Sequence, residues 1–157
     1  IKLIIIKIEV DEMEAKVKAV CLSEEKGTTK KVIEEGVLIE DFGLKGDAHA
    51  GKWHRQLSLL DESSIDKMRG HGYKLEYGDF AENITTEGLE NLYELPVGQK
   101  LRINGEIILE VTQIGKKCHH DCEIMQKIGE CVMPKEGIFA KVIKGGIIKA
   151  GDKIELL

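Results

Sequence analysis

Apolar and polar residues alternate in short runs along most of this chain, which is the period of half-buried strands. Residues 17–22 read as a strand, and the polar stretch 23–31, with Gly27 and several lysines, reads as a loop. Residues 36–39 predict a second strand that breaks at Gly43 and Gly46. Residues 56–60 alternate weakly and predict another. A helix is expected over 61–69, where cap-type residues open the segment and Ser63 and Asp66 have the spacing of a capping box. Gly70 and Gly72 stop it. Residues 78–86 read as a loop and strand, 95–98 as a turn, and 100–103 as a strand. Asn104-Gly105 between two apolar runs is a strong hairpin signal, and 107–114 follows as a long, mostly buried strand. Residues 122–128 have the apolar spacing of a short helix, and 139–143 stay open between strand and helix. Gly145-Gly146 turns the chain before a closing strand at 153–156. Many short strands with one or two helices predict a β-rich barrel or an α+β domain.

The first residues stand apart. Ile4, Ile6, Ile8 and Val10 alternate as an edge strand does, but Met13 opens a segment that reads as a natural start. We therefore expect 1–12 to be a leader or an added extension, and 13–157 to be a single domain. At 157 residues the chain is long enough to bury a core without disulfides or metal. A net charge of -5 argues against general nucleic-acid binding, and 4% aromatics weaken any case for base stacking. The apolar opening is interrupted by lysines, lacks a cleavage site and is too short to span a bilayer. A cytoplasmic protein without membrane partners is expected, in which the four cysteines are free, catalytic or metal-bound rather than disulfide-paired.

Chemistry concentrates in two stretches. Residues 46–55 (GDAHAGKWHR) combine glycines, which let backbone approach a ligand, with Lys52, Arg55, His49 and His54. Arginine binds phosphate through two parallel bonds, so the stretch suits an anion; the competing reading is a solvated turn. Residues 116–122 (KKCHHDC) set Cys118 among Lys116, Lys117, His119 and His120, cations that would favour a reactive thiolate. A buried structural cysteine is the equal alternative. A zinc site from Cys118, His119, His120, Cys122 and Cys131 has suitable donors but poor spacing. Cys21, mid-strand, reads as core. Residues 80–84 (FAENI) pair an apolar anchor with Glu82 and Asn83, whose amide can meet a heterocycle edge or merely form a turn.

Together these segments resemble the MOSC family, the domain found at the C-terminus of molybdenum cofactor sulfurases. The resemblance rests on 43–51 (GLKGDAHAG), 78–84 (GDFAENI), the Lys117-Cys118 pair and 148–152 (IKAGD). It implies a mostly β, barrel-like MOSC fold with a few short α-helices, and it puts the family's cysteine at Cys118. In the family's amidoxime and hydroxylaminopurine reductases that cysteine ligates molybdenum. A persulfide carrier role, fed by a pyridoxal-phosphate desulfurase, has also been proposed. This chain resembles the short standalone prokaryotic members and differs from the reductases in its extra thiols, Cys122 and Cys131.

The expectation is therefore a protein of molybdenum cofactor metabolism that binds a pterin cofactor (molybdopterin), with its terminal phosphate near 46–55. Cys118 would be metal ligand or sulfur carrier. Asp47, His49, Lys52, His54, Arg55, Glu82, Asn83 and Lys117 would be cofactor-binding, and Cys122 and Cys131 accessory thiols. A molybdenum-dependent reductase of N-hydroxylated compounds and a non-catalytic cofactor-binding module are the alternatives. Expected partners are a cysteine desulfurase, which alone would carry pyridoxal phosphate, or a molybdoenzyme.

Overall fold

The computed structural model describes residues 14–116 and 132–157. The chain forms β1 (Ala15–Leu22), β2 (Lys31–Ile33), β3 (Glu35–Ile39), β4 (Gly43–Leu44) and β5 (Leu57–Asp61), followed by helix α1 (Glu62–Arg69) and β6 (Ile84–Glu87). A 3-10 turn (Leu92–Glu94) leads to β7 (Lys100–Ile103) and β8 (Ile107–Ile114). Helix α2 (Met133–Glu136), β9 (Ile138–Lys144), β10 (Gly146–Lys149) and β11 (Lys153–Leu156) complete it.

Seven strands close into a barrel in the order β11-β7-β8-β9-β5-β6-β1, because β1 also pairs β11 through Ala15 and Lys16. β2 extends the sheet beside the second half of β1, and β10-β3-β4 form a separate small sheet. All pairings are antiparallel except β5 with β6. A parallel pair needs a long crossover, and here it carries α1. The Asn104-Gly105 hairpin expectation holds. Both residues have positive φ, 54° and 66°, and Glu106 N donates to Ile103 O at 3.1 Å, while the register Ile103–Ile107 makes the connection three residues long.

β5 is buried on both faces. Leu57 and Leu59 join the barrel interior with Val17, Ile84, Leu109 and Ile138. Leu60 faces a second cluster with Ile65, Met68, Phe80, Met133 and Phe139. Fully burying each leucine contributes about 1.5–3 kcal/mol, so this strand couples barrel to outer layer. Asp61 joins them again: its Oδ2 accepts from Ser63 N and Oγ, capping α1, and its Oδ1 accepts from Thr86 Oγ1 and Leu89 N.

Several expectations change in detail. The cap of α1 is Asp61 rather than a Ser63–Asp66 box, and Asp66 instead pairs with Arg69 at 2.9 Å. Residues 139–143 are strand. β2 and β4 went unpredicted because two or three residues give no measurable period, and β10 because Gly145-Gly146 at its start reads as a turn. The helix expected at 122–128 and the extension at 1–12 lie outside the described residues. Among the described residues, no helix is long and apolar enough to cross a membrane.

Candidate functional site: an arginine-centred anion pocket

The 43–55 segment leaves the small sheet and crosses to β5. A buried network, unexpected from sequence, holds its first half. Lys30 and Asp47 have fully buried side chains and form an ion pair at 2.8 Å. Asp47 also accepts from the backbone N–H groups of Ser23 (3.2 Å) and His49 (3.0 Å). Burial pushes the Asp47 carboxyl up, but the hydrogen bond and charge of Lys30, with the backbone N–H of Ser23, outweigh it and hold the group well below the usual carboxylate range. Lys30 Nζ further donates to Ser23 Oγ (3.1 Å) and lies 3.2 Å from His49 Nδ1. Asp47 is therefore a brace under the loop, with no acceptor aimed outward.

Gly78 locks this network to the 78–84 stretch. Its carbonyl accepts from Lys30 N at 2.8 Å, its φ is +89°, and a Cβ there would lie 2.2 Å from the Lys30 carbonyl oxygen. Glu82 and Asn83, expected to meet a ligand, lie fully buried behind this contact. Glu82 accepts from Phe80 N and Thr85 Oγ1. Its carboxyl is raised by burial, against hydrogen bonds from Gly78, Thr85 and its own stretch of backbone. Asn83 Oδ1 accepts from Ser58 N and Oγ, and its Nδ2 donates to Cys21 O. The Cys21 thiol beside them is buried and raised by that burial and by Glu82, which suits the core role expected of it.

A small pocket opens above this floor. Its polar lining is His49, Arg55, Lys116 and Ser58, and its apolar lining is Phe80, Ala81, Met133 and Phe139. No carboxylate lines it among the described residues. Arg55 lies 4.7 Å from the centre of the Trp53 ring and 5.6 Å from that of Phe139. These cation–π contacts fix the guanidinium plane. Trp53 is itself held by donating from Nε1 to His49 O at 2.7 Å. Arg55 Nε is the one buried side-chain polar atom without a hydrogen-bond partner among the described residues. Such an atom costs about 1–3 kcal/mol unless something accepts from it, which marks the pocket as built for an acceptor. Ala81, on the rim, has φ +63°, a strained conformation for a non-glycine residue.

The pocket thus gathers His49 and Arg55 from the expected set and adds Lys116, Ser58 and Phe139. His54 turns away, its Nε2 2.9 Å from Gln113 Oε1 on β8, and Lys52 is exposed. Cys118, Lys117, Cys122 and Cys131, with the zinc alternative at His119 and His120, lie outside the described residues. Their point of attachment is clear, however. Gly115 N donates to Gly137 O at 2.8 Å and Lys116 N to Pro134 O at 3.2 Å, so the chain departs and returns at one place beside the pocket. Among the described residues no cluster of His, Cys, Asp and Glu is arranged to hold a metal.

No curated protein matches this chain. Solved structures do. The YuaD protein of Bacillus subtilis superposes with a TM-score of 0.75 at 18% identity, over 92% of this chain and 96% of that one. YiiM from Geobacillus stearothermophilus gives 0.69 at 17%, over 91% and 75%. YiiM from Escherichia coli gives 0.60 at 24%, over 90% and 69%. These likenesses establish the barrel fold. A family model, the MOSC domain, matches residues 46–155, from the first glycine of the pocket loop into the last barrel strand. The chain belongs to the MOSC domain family.

Proposed function

We propose that this protein binds the pterin molybdenum cofactor, or a closely related phosphorylated pterin, with the phosphate seated against Arg55, His49 and Lys116. The observation that carries this reading is Arg55: a guanidinium within cation–π distance of two aromatic rings, with Nε buried and, among the described residues, unpaired. Cations in a pocket that no carboxylate lines among the described residues fit a phosphate and give a neutral ligand little to hold. When bound, the cofactor would supply a redox-active metal centre that a soft thiolate suits.

Within this reading Cys118 is the thiol that meets the cofactor, as metal ligand or sulfur carrier, with Cys122 and Cys131 as accessory thiols. Cys118 follows Lys116, a lining residue of the pocket, by two positions in the sequence. Arg55 and Lys116 neutralise the phosphate, and Phe80, Met133 and Phe139 exclude water. Lys52 and Lys117 would act from the rim as long-range charge. A cysteine desulfurase or a molybdoenzyme is the fitting protein partner.

The test is direct. Protein made in a host that synthesises the cofactor should carry molybdenum by elemental analysis and the pterin by mass spectrometry. Trp53, the sole tryptophan, has its ring 4.7 Å from the Arg55 guanidinium, so its fluorescence should report binding. A charge-assisted bond contributes ~1.5–3 kcal/mol, so Arg55→Ala should weaken a phosphorylated pterin roughly 10- to 150-fold and a dephosphorylated one far less. Equal losses for both would place the phosphate elsewhere. Protein that never acquires molybdenum or pterin would sink the reading.

A further inference from the structure

Lys30 is a fully buried cation that the reading above leaves without a task in binding. Its ammonium has three protons and no lone pair, and it has three neighbours at hydrogen-bond distance. These are Asp47 Oδ1 at 2.8 Å, Ser23 Oγ at 3.1 Å and His49 Nδ1 at 3.2 Å. Each neighbour must accept. For His49 this decides the tautomer, because an accepting Nδ1 carries the lone pair and leaves the ring proton on Nε2. The opposite arrangement fails on two counts. A protonated Nδ1 would face the ammonium donor to donor. Its other possible acceptor, Asp47 Oδ2, lies 3.7 Å away, beyond hydrogen-bond distance.

We propose that Lys30 is a positioning residue: it holds His49 as a neutral imidazole whose Nε2–H is the donor offered to the pocket. Among the described lining residues, the pocket's positive charge is then carried by Arg55 and Lys116. The charged groups that face His49 are Lys30 and Asp47 on one side and Arg55 and Lys116 across the pocket. Two fixed charges and one neutral donor match a dianion, such as a fully ionised phosphate monoester. The identity of that ligand rests on the proposed function, whereas the tautomer rests on the Lys30 geometry.

One consequence separates this from an ordinary cationic histidine. If His49 bound its ligand as an imidazolium, affinity would fall by about tenfold per pH unit once the proton was lost. A neutral donor makes affinity independent of pH through neutrality. Sulfate is the suitable probe, because it remains a dianion throughout and any pH dependence must come from the protein.

Two measurements on the full chain test this. Long-range proton–nitrogen NMR of the His49 ring should show the Nε2–H tautomer, with Nδ1 at the shift of an accepting nitrogen. Sulfate titrations followed by Trp53 fluorescence should give affinities constant within about twofold between about pH 6 and 8.5. In Lys30→Met, the accepting-nitrogen signature should be lost and the flat profile should become a falling one. A wild-type His49 that is imidazolium, or protonated on Nδ1, overturns the proposal, as does a wild-type sulfate affinity that falls tenfold across this range. Should Lys30→Met fail to fold, the wild-type spectrum alone decides. No response to sulfate beside an intact Nε2–H tautomer would refute the anion pocket while sustaining the role of Lys30 on His49.

Discussion

The Lys30–Asp47 pair should be among the most expensive contacts in the molecule to break from one side. Both side chains are fully buried, and their 2.8 Å contact ties the loop before β2 to the pocket loop. Removing one partner of such a pair leaves an uncompensated buried charge, which typically costs about 3–5 kcal/mol. For a chain of 157 residues that corresponds to a melting temperature lower by roughly 6–20 °C. The two single variants should differ. Lys30→Met leaves Asp47 with the N–H groups of Ser23 and His49, whereas Asp47→Leu leaves the ammonium only Ser23 Oγ and His49 Nδ1. Asp47→Leu should therefore cost more. The double variant should cost less than the sum, with a coupling of at least ~2 kcal/mol, since neither charge is then stranded. Acid supplies an internal check. The Asp47 carboxyl is depressed in the folded protein, so its contribution is complete above its unfolded value near 3.8 and is lost as the pH falls below it. The gap between wild type and Asp47→Leu should accordingly narrow below about pH 4. Urea denaturation followed by circular dichroism measures all of this. Single variants that each cost under about 1 kcal/mol and simply add would refute the reasoning.

Two further outcomes follow from the pocket floor. Gly78→Ala should lower stability by ~2 kcal/mol or more by urea denaturation, because it combines a left-handed φ with a Cβ 2.2 Å from the Lys30 carbonyl oxygen; an unchanged midpoint would count against that close approach. Glu82 is buried with its carboxyl raised, so its ionised form burdens the folded state increasingly as pH rises from its unfolded value near 4.5. Glu82→Gln should therefore gain stability relative to wild type as pH increases, and a parallel pair of pH–stability curves would show that the carboxyl titrates as it does in the unfolded chain.

Where local rules decide structure, the sequence was legible. Apolar runs bounded by turn residues marked β1, β7, β8 and β11, and Asn104-Gly105 marked the turn between β7 and β8. The cap of α1 was misread because Ser63 and Asp66 have the spacing of a capping box, while Asp61 is fixed by a long-range partner, Thr86 on β6. β10 was invisible for a related reason: its pairing with β3 joins residues far apart in sequence, across only four residues.

The candidate site divides along the same line. Composition exposed the cationic loop, since glycines, lysine, arginine and histidines within one segment are read without knowing any contact. It could not rank them. His54 and Arg55 are adjacent, yet one pairs with Gln113 on the surface while the other enters the pocket, and only the direction of the chain into β5 separates them. Lys30 carried no signal at all. In sequence it is one lysine beside another in a polar stretch, and the residue after it, Lys31, is exposed as lysines usually are. What buries Lys30 is Asp47 on a different segment, together with a glycine at 78 that lets the backbone close over it. The same three-residue coincidence orients His49. The family motif residues at 46–51 and 78–84 are thus adjacent because both pack on Lys30, so the motif's glycines and carboxylates build the floor of the pocket and leave Arg55, His49 and Lys116 on its lining.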